Sequence, residues 1–218
     1  MRTPFTGVGT ALITPFTRSG ELDEAAVRRL GQRQIGGGIH FLVPCGTTGE
    51  NPTLSVEERV RIVEILADEA RGMVPILAGA GGYDTREIIH LAGEMQRAGA
   101  NGLLSVTPYY NKPTQEGIYR HFASIAEAVD IPILLYNVPP RTGGDMQVET
   151  VIRLSQVKNI IGIKDASYDM ARPTLTKLRA KKGFLQLSGE DASAVGFLAQ
   201  GGDGCISVTA NVAPRLCG

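Results

Sequence analysis

The sequence predicts an α/β chain closed into a single (β/α)8 barrel, and two observations carry that prediction. Short runs rich in Ile, Val and Leu recur at eight places along the 218 residues, with longer amphipathic stretches between them. Within each run the hydrophobicity is continuous rather than alternating, the mark of strands buried on both faces of a parallel sheet. Strand, helix and strand repeated through crossovers of about twenty to thirty residues fit either an open doubly wound sheet or a closed barrel, and eight units favour the barrel. An open dinucleotide-binding sheet would also require a GxGxxG turn after its first strand. The chain has no such turn between Val8 and Pro15.

Taken in order, the strands are expected at residues 8–13, 40–43, 74–78, 102–106, 132–136, 160–164, 184–188 and 204–208. Helical patterns occupy residues 22–35, 55–70, 85–98, 115–128 and 148–154. Ser55 followed by Glu58 is a capping box that opens the second of these. After the eighth strand only residues 209–218 remain, fewer than most helices need. The reading is therefore one barrel domain over residues 1–218 that looks truncated after strand eight, without its last helix or any C-terminal helical extension.

Composition narrows the function. Hydrophobic residues at 43% and charged residues at 20% are ordinary for a globular domain. Lys+Arg and Asp+Glu both number 22, so the basic field that nucleic-acid binding requires is missing. The longest apolar runs have strand length, far short of a membrane span. Cys45, Cys205 and Cys217 lack both zinc-site spacing and the density of a disulfide framework, which favours a reducing, cytoplasmic address. His40, His90 and His121 lie far apart and read as surface or packing residues. Neither a metal nor a cofactor is implied.

In a barrel the reactive groups project from the C-terminal ends of the strands. Lys164 closes the apolar run Ile160-Ile161-Gly162-Ile163, which would carry its amine to the mouth partly desolvated. A lysine of ordinary pKa is neutral about 0.04% of the time at pH 7, and burial raises that fraction enough to make it a nucleophile toward a carbonyl. The alternative is a lysine that ends a strand and extends to water. Tyr136 also ends a strand, one βα repeat earlier, so the two side chains come from neighbouring strands on one rim. A phenol polarised by a hydroxyl neighbour, here Thr47, suits proton transfer to a carbinolamine oxygen; an ordinary rim aromatic is the competing reading. The loop Gly46-Thr47-Thr48-Gly49-Glu50 offers hydroxyls and amides for a carboxylate, or is a simple strand-to-helix turn. Arg141 sits in a Pro-Arg-Thr-Gly-Gly loop that would fix its guanidinium fork for a second carboxylate, unless it is merely solvated. Tyr109 and Tyr110 read as rim packing or oligomer contacts.

Six segments standing in order, GTTGE at 46–50, TPYYNKP at 107–113, YNVPPRTG at 136–143, GIKDAS at 162–167, LSGED at 187–191 and GCISVTANV at 204–212, resemble the dihydrodipicolinate synthase family of the N-acetylneuraminate lyase superfamily. The resemblance spans essentially the whole chain. It implies a Schiff-base condensation of pyruvate with L-aspartate 4-semialdehyde, in the diaminopimelate and lysine route. It implies further that Lys164 forms the imine, that Tyr136, Thr47 and Tyr110 relay protons, and that Thr48 joins Thr47 on the pyruvate carboxylate. Arg141 would meet the semialdehyde carboxylate, and Gly189 and Ile206 would line the pyruvate site. Tyr109 would stack at a tight dimer interface, across which Tyr110 reaches a neighbouring active site, with a homotetramer as a dimer of dimers. Sialic-acid and sugar-acid lyases of the superfamily share the lysine and tyrosine but generally lack the loop arginine, which favours the synthase over those lyases; a truncated, non-catalytic barrel is the remaining alternative. Where family members inhibited by lysine usually carry histidine or glutamate and an asparagine, this chain has Val56, Arg59 and Tyr83, so lysine inhibition is not carried over.

Overall fold

A computed structural model describes residues 4–218. These residues form eight parallel strands alternating with helices: β1 (Gly7–Ala11), α1 (Glu24–Gly36), β2 (Phe41–Val43), α2 (Val56–Ala70), β3 (Leu77–Gly79), α3 (Thr85–Arg97), β4 (Gly102–Val106), α4 (Gln115–Ala128), β5 (Ile133–Asn137), α5 (Pro139–Thr142), α6 (Val148–Leu154), β6 (Ile160–Asp165), α7 (Arg172–Arg179), β7 (Leu185–Ser188), α8 (Ala194–Ala199), β8 (Gly204–Ser207) and α9 (Pro214–Cys217). The barrel prediction holds, and every expected strand is present with its ends moved by at most three residues. The largest shift is at β3, where Pro75 interrupts the run and strand pairing starts only at Leu77. After β8, where the sequence offered no helix, a 3-10 turn (Thr209–Asn211) and the one-turn helix α9 follow.

The strands pair in the order β2-β1-β8-β7-β6-β5-β4-β3, so the ladder runs unbroken from β2 around to β3. Between β2 and β3 closure rests on the single bridge Leu42↔Ile76 and the hydrogen bonds Leu42 N to Pro75 O and Gly79 N to Pro44 O. Two glycines permit this tight winding. A Cβ on Gly79 would stand 1.9 Å from the Cys45 carbonyl oxygen, and one on Gly204 would stand 1.9 Å from that of Gly7. Only a residue without Cβ fits at either place.

Two apolar layers follow from strands buried on both faces. The inner one, with Phe41, Leu77, Leu104, Leu134, Leu187 and Ile206, fills the barrel. The outer one, with Ile62, Leu66, Leu91, Phe122, Leu135 and Ile163, lies between strands and helices. Along β5 the side chains alternate accordingly, Leu134 and Tyr136 inward and Ile133 and Leu135 outward. At the base of the barrel Phe5 packs edge-on against Phe41, 5.7 Å between centroids.

The helices start where their caps dictate. Ser55 and Glu58 form the reciprocal capping box of α2. Asp23, Asp84 and Thr114 cap α1, α3 and α4. Of the histidines, His121 is buried between α3 and α4, bonded through Nδ1 to Thr85 at 2.9 Å, while His90 lies on the surface. Asn211 stitches the last turn to the first strand, accepting from Ile13 N and donating to Ala11 O. Among the described residues no helix is long and apolar enough to cross a membrane, and no group of His, Cys, Asp and Glu could hold a metal ion.

Candidate active site

At the C-terminal ends of the strands a cavity of about 220 Å³ opens, with Thr47, Thr48, Tyr136, Arg141, Lys164 and Gly189 in its lining. Lys164 and Tyr136 stand at paired positions on β6 and β5. Equal register carries both inward at the same height, and the Lys164 ammonium lies 4.2 Å from the centroid of the Tyr136 ring. Lys164 is only 7% exposed. Burial drives its pKa down from 10.5 to about 8; the charge of Arg141 acts in the same direction, and Cys205 and Asp191 oppose it. Gly189 makes room for this side chain, because a Cβ there would stand 3.1 Å from Lys164 Cε and 2.8 Å from the Ala166 methyl.

Tyr136 is buried, which raises the pKa of its phenol, and a hydrogen bond with Thr47 pulls the other way. Thr47 is held by a loop that folds back on β1. Thr14 Oγ1 donates to Gly49 O at 2.7 Å, and a Cβ on Gly49 would meet Leu12 O at 2.9 Å. Glu50, at φ 58, takes the left-handed turn that returns the chain to α2. Arg141 lies on α5, a single helical turn that Pro139 opens and Gly143 ends at φ 67. Thr142 Oγ1 braces the turn by donating to Val138 O and Gly144 O.

Behind the two strand ends lies a polar network. Asn137, the neighbour of Tyr136, donates to Asp145 Oδ1 at 2.9 Å and accepts from Met146 N at 3.0 Å. Arg172 holds Asp145 with both terminal nitrogens, donates to Met146 O at 3.1 Å, and stands 3.9 Å from Asp165, the neighbour of Lys164. Burial raises the pKa of Asp165, while Arg172 works against that rise. The loops after β5 and β6 are thus tied to one guanidinium.

Not every expected residue meets at this cavity. Tyr110 is 87% exposed, stands at φ 64 in the loop after β4, and tilts against Tyr83 at 6.2 Å. Tyr109 packs edge-on against Tyr83 and lines an adjoining cavity of about 230 Å³ together with Thr47, Tyr136 and Arg141. Ile206 is fully inside the barrel core. Conversely, Tyr168, Glu190 and Val208 line the Lys164 cavity without having been singled out. Glu190 lies inside the LSGED segment, so the motif held the signal; Tyr168 has none, being an exposed residue at φ 66. Asp191, of the same segment, is pushed up by burial yet held below the usual carboxylate range by hydrogen bonds that include Val208 N, Thr209 N and Thr209 Oγ1. Cys205 is inert as a nucleophile, its thiol pushed by burial up to about 12.

Comparison with known proteins fits this geometry. Residues 4–217 match the sequence profile of the Dihydrodipicolinate synthetase family. The chain is 55% identical over 216 residues to the 4-hydroxy-tetrahydrodipicolinate synthase of Nitrobacter hamburgensis, covering 99% of itself and 73% of that protein. It is also 55% identical to the enzyme of the same name from Bradyrhizobium diazoefficiens, with the same coverage of each. Among solved structures it superposes on dihydrodipicolinate synthase from Aquifex aeolicus with a TM-score of 0.95 at 42% identity, covering 98% of this chain and 73% of that one. A structure described as a monomeric dihydrodipicolinate synthase variant matches with a TM-score of 0.94 at 43% identity, covering 98% and 73%. By its profile, its relatives and its barrel, the chain belongs to the dihydrodipicolinate synthetase family.

Proposed function

We propose that this chain condenses pyruvate with L-aspartate 4-semialdehyde through an imine on Lys164, forming 4-hydroxy-tetrahydrodipicolinate for lysine biosynthesis in the cytoplasm. The observation that carries this reading is the buried Lys164 amine, its pKa lowered to about 8, stacked on the Tyr136 ring in a cavity that also holds Arg141. A neutral amine attacks the pyruvate ketone, and the carbinolamine oxygen leaves as water once protonated. In this reading Tyr136, hydrogen-bonded to Thr47, delivers that proton. Thr47 and Thr48 hold the pyruvate carboxylate, with Gly189 shaping the wall beside it and Ile206 in the barrel core. The enamine formed next attacks the aldehyde of the second substrate, whose carboxylate Arg141 receives; ring closure then expels Lys164.

Tyr110 belongs to a shared site in this reading. Its exposure and its left-handed backbone suit a side chain that completes the proton relay of a neighbouring subunit, with Tyr109 and Tyr83 packed beside it at the dimer contact. The direct test is borohydride reduction after incubation with pyruvate, read by intact mass and peptide mapping. One pyruvate-derived adduct on the Lys164 peptide is expected, and Lys164→Arg abolishes it, because an arginine stays protonated. An unmodified wild-type chain, folded by circular dichroism, overturns the imine.

A further inference from the structure

The cavity around Lys164 carries two opposite charges at its mouth, and neither is used up by the protein. Arg141 and Glu190 both line it, one from α5 and the other from the loop after β7. Among the described residues neither side chain is engaged in an ion pair. Glu190 is nevertheless held in place. Its Oε2 accepts from the Tyr168 hydroxyl at 3.2 Å and its Oε1 from Ala192 N at 3.2 Å, while its backbone exchanges hydrogen bonds with Ser188 Oγ. Tyr168 lines the same cavity and feels both charges: Glu190 raises the pKa of its phenol and Arg141 lowers it.

Glu190 enters the same cavity from the loop after β7, and its carboxylate is hydrogen-bonded to Tyr168 and Ala192 rather than to Lys164. A cavity of about 220 Å³ whose lining holds both a carboxylate and a guanidinium is complementary to a zwitterion, a molecule carrying its own carboxylate and ammonium. A second substrate with an aldehyde and a carboxylate but no ammonium group leaves Glu190 without a charged partner.

We infer that Glu190 is the specificity-determining residue that receives the α-ammonium group of the amino-acid aldehyde, opposite Arg141 on its carboxylate, with Tyr168 fixing the orientation of the Glu190 carboxylate. This assignment rests on the function proposed above and deepens it. It accounts for Tyr168 at φ 66, a backbone state that a tyrosine rarely adopts and that sets its hydroxyl against Glu190. It also accounts for two charges held apart rather than joined: a direct Arg141–Glu190 pair would occupy both groups before any substrate arrived.

The test is kinetic and uses the full chain with Glu190→Gln, which keeps size and hydrogen bonding but removes the charge. L-aspartate 4-semialdehyde is the varied substrate, and 4-oxobutanoate, its counterpart without the amino group, is the competitor. Loss of a hydrogen bond between charged groups corresponds to about a ten- to hundredfold loss of affinity. The KM for the semialdehyde is therefore expected to rise about tenfold or more, while the inhibition constant of 4-oxobutanoate stays level or falls. The pyruvate adduct on Lys164, read by mass, stays at the wild-type yield and shows that the variant is folded. Equal weakening of substrate and competitor, or no change in either, overturns the assignment while leaving the imine reading intact. Failure of the wild type to consume the semialdehyde despite forming its pyruvate adduct refutes the substrate, and the ammonium site with it.

Discussion

At the scale of single residues, the chemistry depends on how deeply one lysine is buried. Lys164 closes an apolar strand and loses its hydration, so about a tenth of it is neutral at pH 7, against a few parts in ten thousand for an exposed lysine. The sign of the pH dependence follows: kcat/KM for pyruvate is expected to rise about tenfold between pH 7 and pH 9 and to level above pH 8 to 9, as the amine deprotonates. A profile still climbing steeply at pH 10 would show that the lysine is not desolvated in solution. This much was legible in the sequence, since strand position alone placed Lys164 and Tyr136 on neighbouring strand ends, and the register confirmed it. Tyr168 was not legible. Its place at the cavity comes from an unusual backbone angle and from a glutamate 22 residues away, and neither leaves a periodic trace in the chain.

At the scale of elements, the strand ends are only as well aimed as the loops that follow them. Asn137 and Asp165, the residues next to Tyr136 and Lys164, face the Asp145–Arg172 network rather than the cavity. Arg172 is mostly buried, so removing it strands Asp145 and Asp165 without their cation. Arg172→Met is expected to cost about 3 kcal/mol of stability, measured as a shift in the urea midpoint, and to lower kcat more than it raises KM for pyruvate. Full stability in that variant would mean that the network contributes no net energy. The helices read from the sequence were those with strong caps or clear periodicity, such as α2, α3 and α4. The short α5, α7 and α8 were not among them, because four to eight residues are too few for a 3.6-residue period to declare itself. The one-turn helix after β8 was missed for the same reason, although Pro214 at its first position is a helix-start signal.

At the scale of the whole molecule, the count of eight βα units was enough to choose a closed barrel, but the sequence could not say where the ring would be weakest. That depends on Pro75 and on the shortness of β2 and β3, which leave one bridge where other neighbouring strands share ladders of two to five residue pairs. The β2 side of this seam continues directly into the loop that carries Thr47 and Thr48. With pyruvate held by this loop as proposed, separation of β2 from β3 and occupancy of the loop are linked equilibria, since a ligand that binds only the closed ring must shift the ring toward closure by RT ln(1 + [L]/Kd). Amide hydrogens of Leu42 and Gly79 are expected to exchange sooner than those of β5, and saturating pyruvate at one hundred times its Kd to slow them by about a hundredfold. Equal protection with and without pyruvate would uncouple the two. On that outcome the weakest join in the ring doubles as a reporter: its breathing rate measures how full the proposed pyruvate site is.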